Sequence, residues 1–151
     1  MKKALLDTNI ITAFLKGNNT VVERVEQYLN EHESLTISIL SYYEILRGLK
    51  DLGSKKKLQA FDKFINDCEV EELERPVIVK AADIYVNLKR EGKLVEDADI
   101  LIAATAMNKG LAVVTDNEKH FRRIKGFKIG VDKRRRVQYT SDPVKLAEIT
   151  A

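Results

Sequence analysis

Short apolar runs alternate along this chain with longer stretches whose apolar residues recur at helical spacing, and this alternation limits the fold more than any other feature. Residues 3–6 end at Asp7-Thr8-Asn9, residue types that cap helices, after which Ile10, Ile11, Phe14 and Leu15 lie one helical turn or less apart. Gly17-Asn18-Asn19-Thr20 breaks that helix and starts another, with Val21, Val22, Val25, Tyr28 and Leu29 as its apolar stripe. A short β-branched run over 35–39 predicts a strand, and 41–49 a helix with Ile45, Leu46 and Leu49 turned inward. Further helices are expected to about residue 66, over 77–89, over the Ala-rich 97–108 and over 118–124. Strands are expected over 68–73, 111–115 and 127–131. Strand–helix alternation of this kind predicts an α/β fold with a mainly parallel central sheet flanked by helices. In such a sheet, sites form beyond the carboxyl ends of the strands, where Asp7 and the residues 115–117 should lie.

The chain has 151 residues, 44% of them apolar, which suits one globular domain with a sizeable core. No apolar stretch approaches the roughly 18–20 residues that a bilayer crossing needs. Asp7 interrupts the N-terminal apolar run after three residues, so the pattern is not that of a secretion signal. A single Cys68 and two histidines, His32 and His120, leave no set for a disulfide or a structural zinc site, and a reducing cytoplasm is the expected location.

Charge is unevenly spread. Residues 1–118 hold 16 basic and 20 acidic side chains, whereas 119–136 hold nine basic ones and a single acid, Asp132. The net charge of +3 therefore hides an acidic body and a basic strip made of Lys119, Arg122, Arg123, Lys125, Lys128, Lys133, Arg134, Arg135 and Arg136. Such a strip suits a polyanion, and it is equally the composition of a solvated helix face and tail.

Common catalytic devices are missing. The seven glycines fit neither a Walker loop nor a dinucleotide fingerprint, and no Gly-x-Ser-x-Gly elbow is present. Cys68, beside Val70 and with no adjacent base, reads as a small apolar residue. What remains is a set of carboxylates: Asp7 closing the first strand, Glu44 between Tyr43 and Ile45, and Asp97 and Asp99 flanking Ala98 ahead of an apolar helix. Singly, each has a structural explanation: Asp7 as a cap, Glu44 paired with Arg47 one turn on, Asp99 in a helix first turn. Together, three carboxylates converging at one end of a sheet repel one another unless a cation holds them, and hard oxygen ligands suit Mg²⁺ or Mn²⁺.

The same residues carry a resemblance. Leu5-Leu6-Asp7-Thr8-Asn9-Ile10, Ser38 followed by Glu44-x-x-x-Gly48, Asp99-x-x-Ile102-Ala103-Ala104, and Val113-Val114-Thr115-Asp116-Asn117 with Phe121 are similar, in order and spacing, to the motifs of PIN-domain ribonucleases. The chain resembles in particular the VapC toxins of prokaryotic toxin–antitoxin pairs, over about residues 3–130. The resemblance implies a PIN domain over residues 1–131, with 132–151 as a basic C-terminal extension. It implies endonucleolytic cleavage of RNA at a Mg²⁺ or Mn²⁺ site, a VapB-like antitoxin that covers or enters the acidic cleft, and homodimerisation.

Residue by residue, Asp7, Glu44 and Asp99 match the family's acidic triad as catalytic residues and metal ligands. Thr8, Asn9, Ser38, Asp97, Thr115, Asp116 and Asn117 stand in supporting positions. Asn117 occupies a fourth position that is acidic in many members, while Asp116 falls one place early and should point elsewhere, which bears on a second metal. Phosphodiester hydrolysis needs hydroxide near neutral pH and a counter-charge for the transition state, both of which a carboxylate-held divalent metal supplies. Neither histidine is placed by the sequence to act as a base. The strip beginning at Lys119, with Arg122, Arg123, Lys125 and then Arg134, Arg135 and Arg136, follows the 115–117 motif directly and should bind phosphates beside the site. A reading of another class is a catalytically silent PIN-like RNA-binding module in a ribonucleoprotein assembly, with which Asn117 and the basic tail are compatible.

Overall fold

The computed structural model describes residues 2–126 and the backbone of three further strands, Ile129–Asp132, Val137–Thr140 and Pro143–Val144. The chain starts with β1 (Ala4–Leu6), α1 (Thr8–Leu15) and α2 (Asn19–Leu29), followed by β2 (Thr36–Ser38), α3 (Ile39–Leu52), α4 (Lys55–Asn66) and β3 (Glu69–Glu71). It continues through α5 (Arg75–Arg90), α6 (Asp97–Lys109), β4 (Ala112–Val114) and the single turn α7 (Glu118–Phe121) to β5 (Ile129–Asp132), β6 (Val137–Thr140) and β7 (Pro143–Val144). The sheet order is β3-β2-β1-β4-β7-β6-β5. Strands β3, β2, β1, β4 and β7 run parallel, with Leu5 opposite Thr36 on one side and opposite Val113 on the other. The pairs β5–β6 and β6–β7 are antiparallel. Both β6 and β7 fall in the stretch from which the sequence predicted only a basic extension.

Local chemistry sets the element ends. Asp7, Asn18, Ser38 and Ser54 each accept a backbone N–H at the start of the helix they precede. Pro76 sits in the first turn of α5, where its missing N–H costs nothing. Gly53 and Gly110 end α3 and α6 in the left-handed region, at φ 74° and 65°, which a side chain would resist.

Alternation along the strands divides the core between the two sheet faces. Leu5 and Val113 point to one side, where Val77, Ala81, Ile84 and Leu88 of α5 and Ile100, Ile102, Ala103 and Ala104 of α6 bury them. Ala4, Leu6 and Ala112 point to the other, among Ile10, Ile11, Val21, Val25, Ile45 and Phe61 of the first four helices. Tyr28 reaches from α2 to accept the Ala4 N–H at 3.0 Å, which secures the start of β1. Among the described residues no helix is long and apolar enough to cross a membrane.

Strand order decides where a site can form. From β1 the chain moves outward through β2 to β3, then returns to place β4 on the other side of β1. The crossovers therefore part between β1 and β4, and the crevice beyond the carboxyl ends of these two strands is the place where such sheets bind ligands. Asp7 follows β1 and Thr115 follows β4.

Candidate active site

Asp7 leaves β1 buried, 5% exposed, and begins α1. Its Oδ1 accepts the Thr8 N–H at 2.8 Å, and its Oδ2 accepts the Thr115 hydroxyl at 2.7 Å. Thr115 is fully buried and its Oγ1 in turn accepts the Asn117 N–H at 2.9 Å, so its proton is aimed at Asp7. Burial pushes the Asp7 carboxyl up from 3.8 to about 6, against the hydrogen bonds from Thr115 and Thr8, and the charges of Asp99 and Asp116 add to the rise. Asp116 is exposed at the mouth, and its charge still reaches Asp7.

Glu44 projects from α3, half-buried, and its Oε1 lies 3.0 Å from Thr8 Oγ1. Thr8 Oγ1 is also 2.9 Å from Ser41 Oγ. A hydroxyl has one proton, so when Thr8 donates to the carboxylate it accepts from the buried Ser41. The i,i+3 pairing of Glu44 with Arg47 gives way to this bond, and the Arg47 guanidinium instead lies over the Tyr43 ring, 5.1 Å from its centroid. Ser38 is buried and holds the start of α3 by accepting the Leu40 N–H at 3.1 Å.

Asp99 stands in the first turn of α6, 7% exposed, and Asp97 in the same turn faces solvent. The sequence placed no histidine to act as a base and did not count His120 among the site residues, but the structure brings its ring to Asp99. His120 of α7 puts its Nδ1 2.6 Å from Asp99 Oδ2, with Asn117 Nδ2 2.7 Å from the same ring nitrogen. Nδ1 carries either a proton or a lone pair, so it can donate to Asp99 or accept from Asn117 but not both. The motif signal for His120 was present, three residues after Asn117 and beside Phe121, but only the packing of α7 against α6 brings the ring to the carboxylate.

Asp7, Asp99, Thr115, Asn117 and His120 thus gather at the β1–β4 crevice, with Glu44 joined through Thr8. Asn9 is exposed on α1, where it lines an open hollow with Thr12, Ala13, Lys16, Gly17 and Asn18. Among the described residues, no three carboxylate, imidazole or thiol groups converge tightly enough to encircle one cation. Of the basic strip, Lys119 is exposed, Arg122 bonds Glu118 at 2.9 Å, Arg123 donates to the Leu94 carbonyl at 3.2 Å and Lys125 pairs with Glu91 at 2.9 Å. Arg134, Arg135 and Arg136 lie outside the described residues.

The family model described as PIN domain matches residues 4–126, from the first strand to the end of the site. The chain belongs to the PIN-domain family. Among relatives, this PIN domain is 32% identical to ribonuclease VapC1 of Methanocaldococcus jannaschii over 125 residues, covering 83% of each chain. It is 31% identical to the tRNA(fMet)-specific endonuclease VapC of Salmonella typhimurium, across 85% of this chain and 97% of that one. Among solved structures, DNA-bound VapBC from Salmonella typhimurium superposes with a TM-score of 0.73 at 31% identity, covering 83% of this chain and 95% of its counterpart.

Proposed function

We propose that this PIN domain is a divalent-metal-dependent endoribonuclease and the toxin of a VapBC-like toxin–antitoxin pair. The observation that carries the reading is the pair of buried carboxylates, Asp7 and Asp99, at the switch point between β1 and β4 in a chain related to VapC ribonucleases. Their chemistry fits a hard cation: both offer oxygens, both are largely buried, and the charge of Asp99 raises the pKa of Asp7, a repulsion that a bound cation would relieve. Asp7 and Asp99, with Glu44 drawn in from its bond to Thr8, would hold Mg²⁺ or Mn²⁺, which when bound supplies activation of water and counter-charge for the phosphodiester transition state.

The chain's own side chains do the rest. Thr115 and the Thr8 N–H hold Asp7 in one orientation, and Thr8 holds Glu44. His120 holds Asp99 when its Nδ1 carries the proton. Lys119, Arg122, Arg123 and Lys125 follow the site along the chain and keep part of their charge at the surface for phosphates, with Arg134, Arg135 and Arg136 continuing the strip. Arg122 and Lys125 are 40% and 75% exposed despite their acidic partners, which suits contacts that contribute affinity without base choice.

A VapB-like antitoxin that covers the acidic cleft, a homodimer and a cytoplasmic location complete the reading. The experiment is incubation of purified protein with RNA and Mn²⁺, with and without EDTA. Cleavage that EDTA abolishes is expected. RNA binding without cleavage at any divalent metal concentration would favour the silent RNA-binding module, with which Asn117 in the fourth position is compatible.

A further inference from the structure

Helix α3 contains a residue that its own packing does not explain. Gly48 lies in the helix interior, is exposed and has no left-handed backbone to require glycine. A Cβ built on it meets nothing within 4 Å. Glycine is the poorest helix former apart from proline, so here neither turn geometry nor close packing repays its presence. Gly48 follows Glu44 by four residues and therefore shares its face of the helix. Beside it, Tyr43 is 55% exposed with Arg47 stacked on its ring. An exposed ring, a cation and a stretch of bare helix backbone thus border the carboxylate that Thr8 holds at the cleft.

We propose that this face of α3 is the track on which a single-stranded RNA lies as it enters the acidic cleft: Gly48 leaves room for the strand to lie against the helix, Arg47 takes a phosphate, and Tyr43 stacks on a base. Each part answers a need of the substrate. The cleft itself repels a polyanion, so a cation on its rim favours approach. Stacking on an exposed aromatic is tolerant of sequence, and an arginine next to the ring adds charge where the strand's backbone runs. The inference rests on the nuclease reading above and adds to it a substrate-binding surface that the acidic residues alone do not supply.

The test combines cleavage kinetics on a labelled single-stranded RNA in Mn²⁺ with equilibrium binding of the same RNA in an Asp99→Asn background. Gly48→Ala should raise the melting temperature by roughly 2–4 °C, because its methyl enters open space on a helix. Gly48→Leu, which fills that space, should raise KM severalfold and more than it lowers kcat. Tyr43→Ala should weaken binding by roughly fivefold or more, and Tyr43→Phe, which keeps the ring, should restore it. Arg47→Gln should reduce the slope of log affinity against log salt by about 0.7.

Normal KM and RNA affinity in the Gly48→Leu, Tyr43→Ala and Arg47→Gln proteins would overturn the inference and leave the nuclease reading standing. The same result with weakened association to an inhibitory protein partner would assign the face to protein contacts instead. Failure of the unsubstituted protein to cut RNA would remove the nuclease reading, and this inference with it.

Discussion

Thr115 Oγ1 donates to Asp7 Oδ2 at 2.7 Å, joining the residues that follow the neighbouring parallel strands β1 and β4. The Asn117 N–H fills the lone-pair side of that hydroxyl, so the proton has one place to go. A buried acid is thereby held ionisable at the point where the sheet opens, in a surrounding that otherwise disfavours its charge.

The stability of the metal-free protein should carry the mark of Asp7. Its carboxyl is pushed up to about 6 from an ordinary 3.8, so the folded state keeps a proton that the unfolded state has lost. Stability contributed by the protonated group is complete below about pH 4 and is lost as pH rises through 6, for a total of about 3 kcal/mol at most. Asp7→Asn should therefore be more stable than the parent at pH 7, with the difference shrinking toward pH 4. Denaturant titrations at both values check this; a less stable variant at pH 7 would contradict it.

Thr115→Val removes the donor that opposes burial, so the Asp7 carboxyl should titrate above 6 in that variant. Carbon-detected NMR titration of the aspartates reads the change directly. A fall in the Asp7 value would show that Thr115 does not stabilise the charge.

How far the sequence foretold this arrangement depends on the range of the interactions involved. The strand that ends just before the capping Asp7 and the Ala-rich helix that opens at Asp97 were legible because caps and periodicity are local signals. His120 beside Asp99 was not, since a single-turn helix has no periodicity and its position is set by packing against α6. Glu44 was legible as an acid out of place, but its bond to Thr8 spans 36 residues and no spacing rule reaches that far. Arg122 read as part of a free basic strip although Glu118 stands four residues before it, the spacing of a helical ion pair. Strands β6 and β7 escaped notice because Val137-Gln138-Tyr139-Thr140 alternates over only four residues, directly after the basic run 133–136, and Pro143-Val144 is too short to show any period.

Thr36, the first residue of β2, is fully buried and its Oγ1 has no hydrogen-bond partner among the described residues. Replacing that hydroxyl by a methyl in Thr36→Val removes an unpaid desolvation, with an expected gain of about 1 kcal/mol and a melting temperature higher by roughly 2–4 °C. Thermal unfolding decides the matter. Destabilisation would mean that the hydroxyl is hydrogen-bonded in solution.

Cys68 is half-buried and its thiol is pushed up to about 11, first by desolvation and then by Asp67. At pH 8 its alkylation by iodoacetamide should be roughly 100-fold slower than that of an ordinary exposed thiol. Blocking it should leave RNA cleavage unchanged, as befits a residue that packs against the core and takes no part in the chemistry.

The most direct test of the account is RNA cleavage in Mn²⁺ by the parent protein and by Asp7→Asn, Glu44→Gln and Asp99→Asn, each with and without EDTA and each checked for folding by circular dichroism. The account predicts metal-dependent cleavage by the parent and its loss in all three folded variants. Near-normal cleavage by any one of them would remove that carboxylate from the site, and cleavage by the parent that survives EDTA would contradict the metal-dependent mechanism itself.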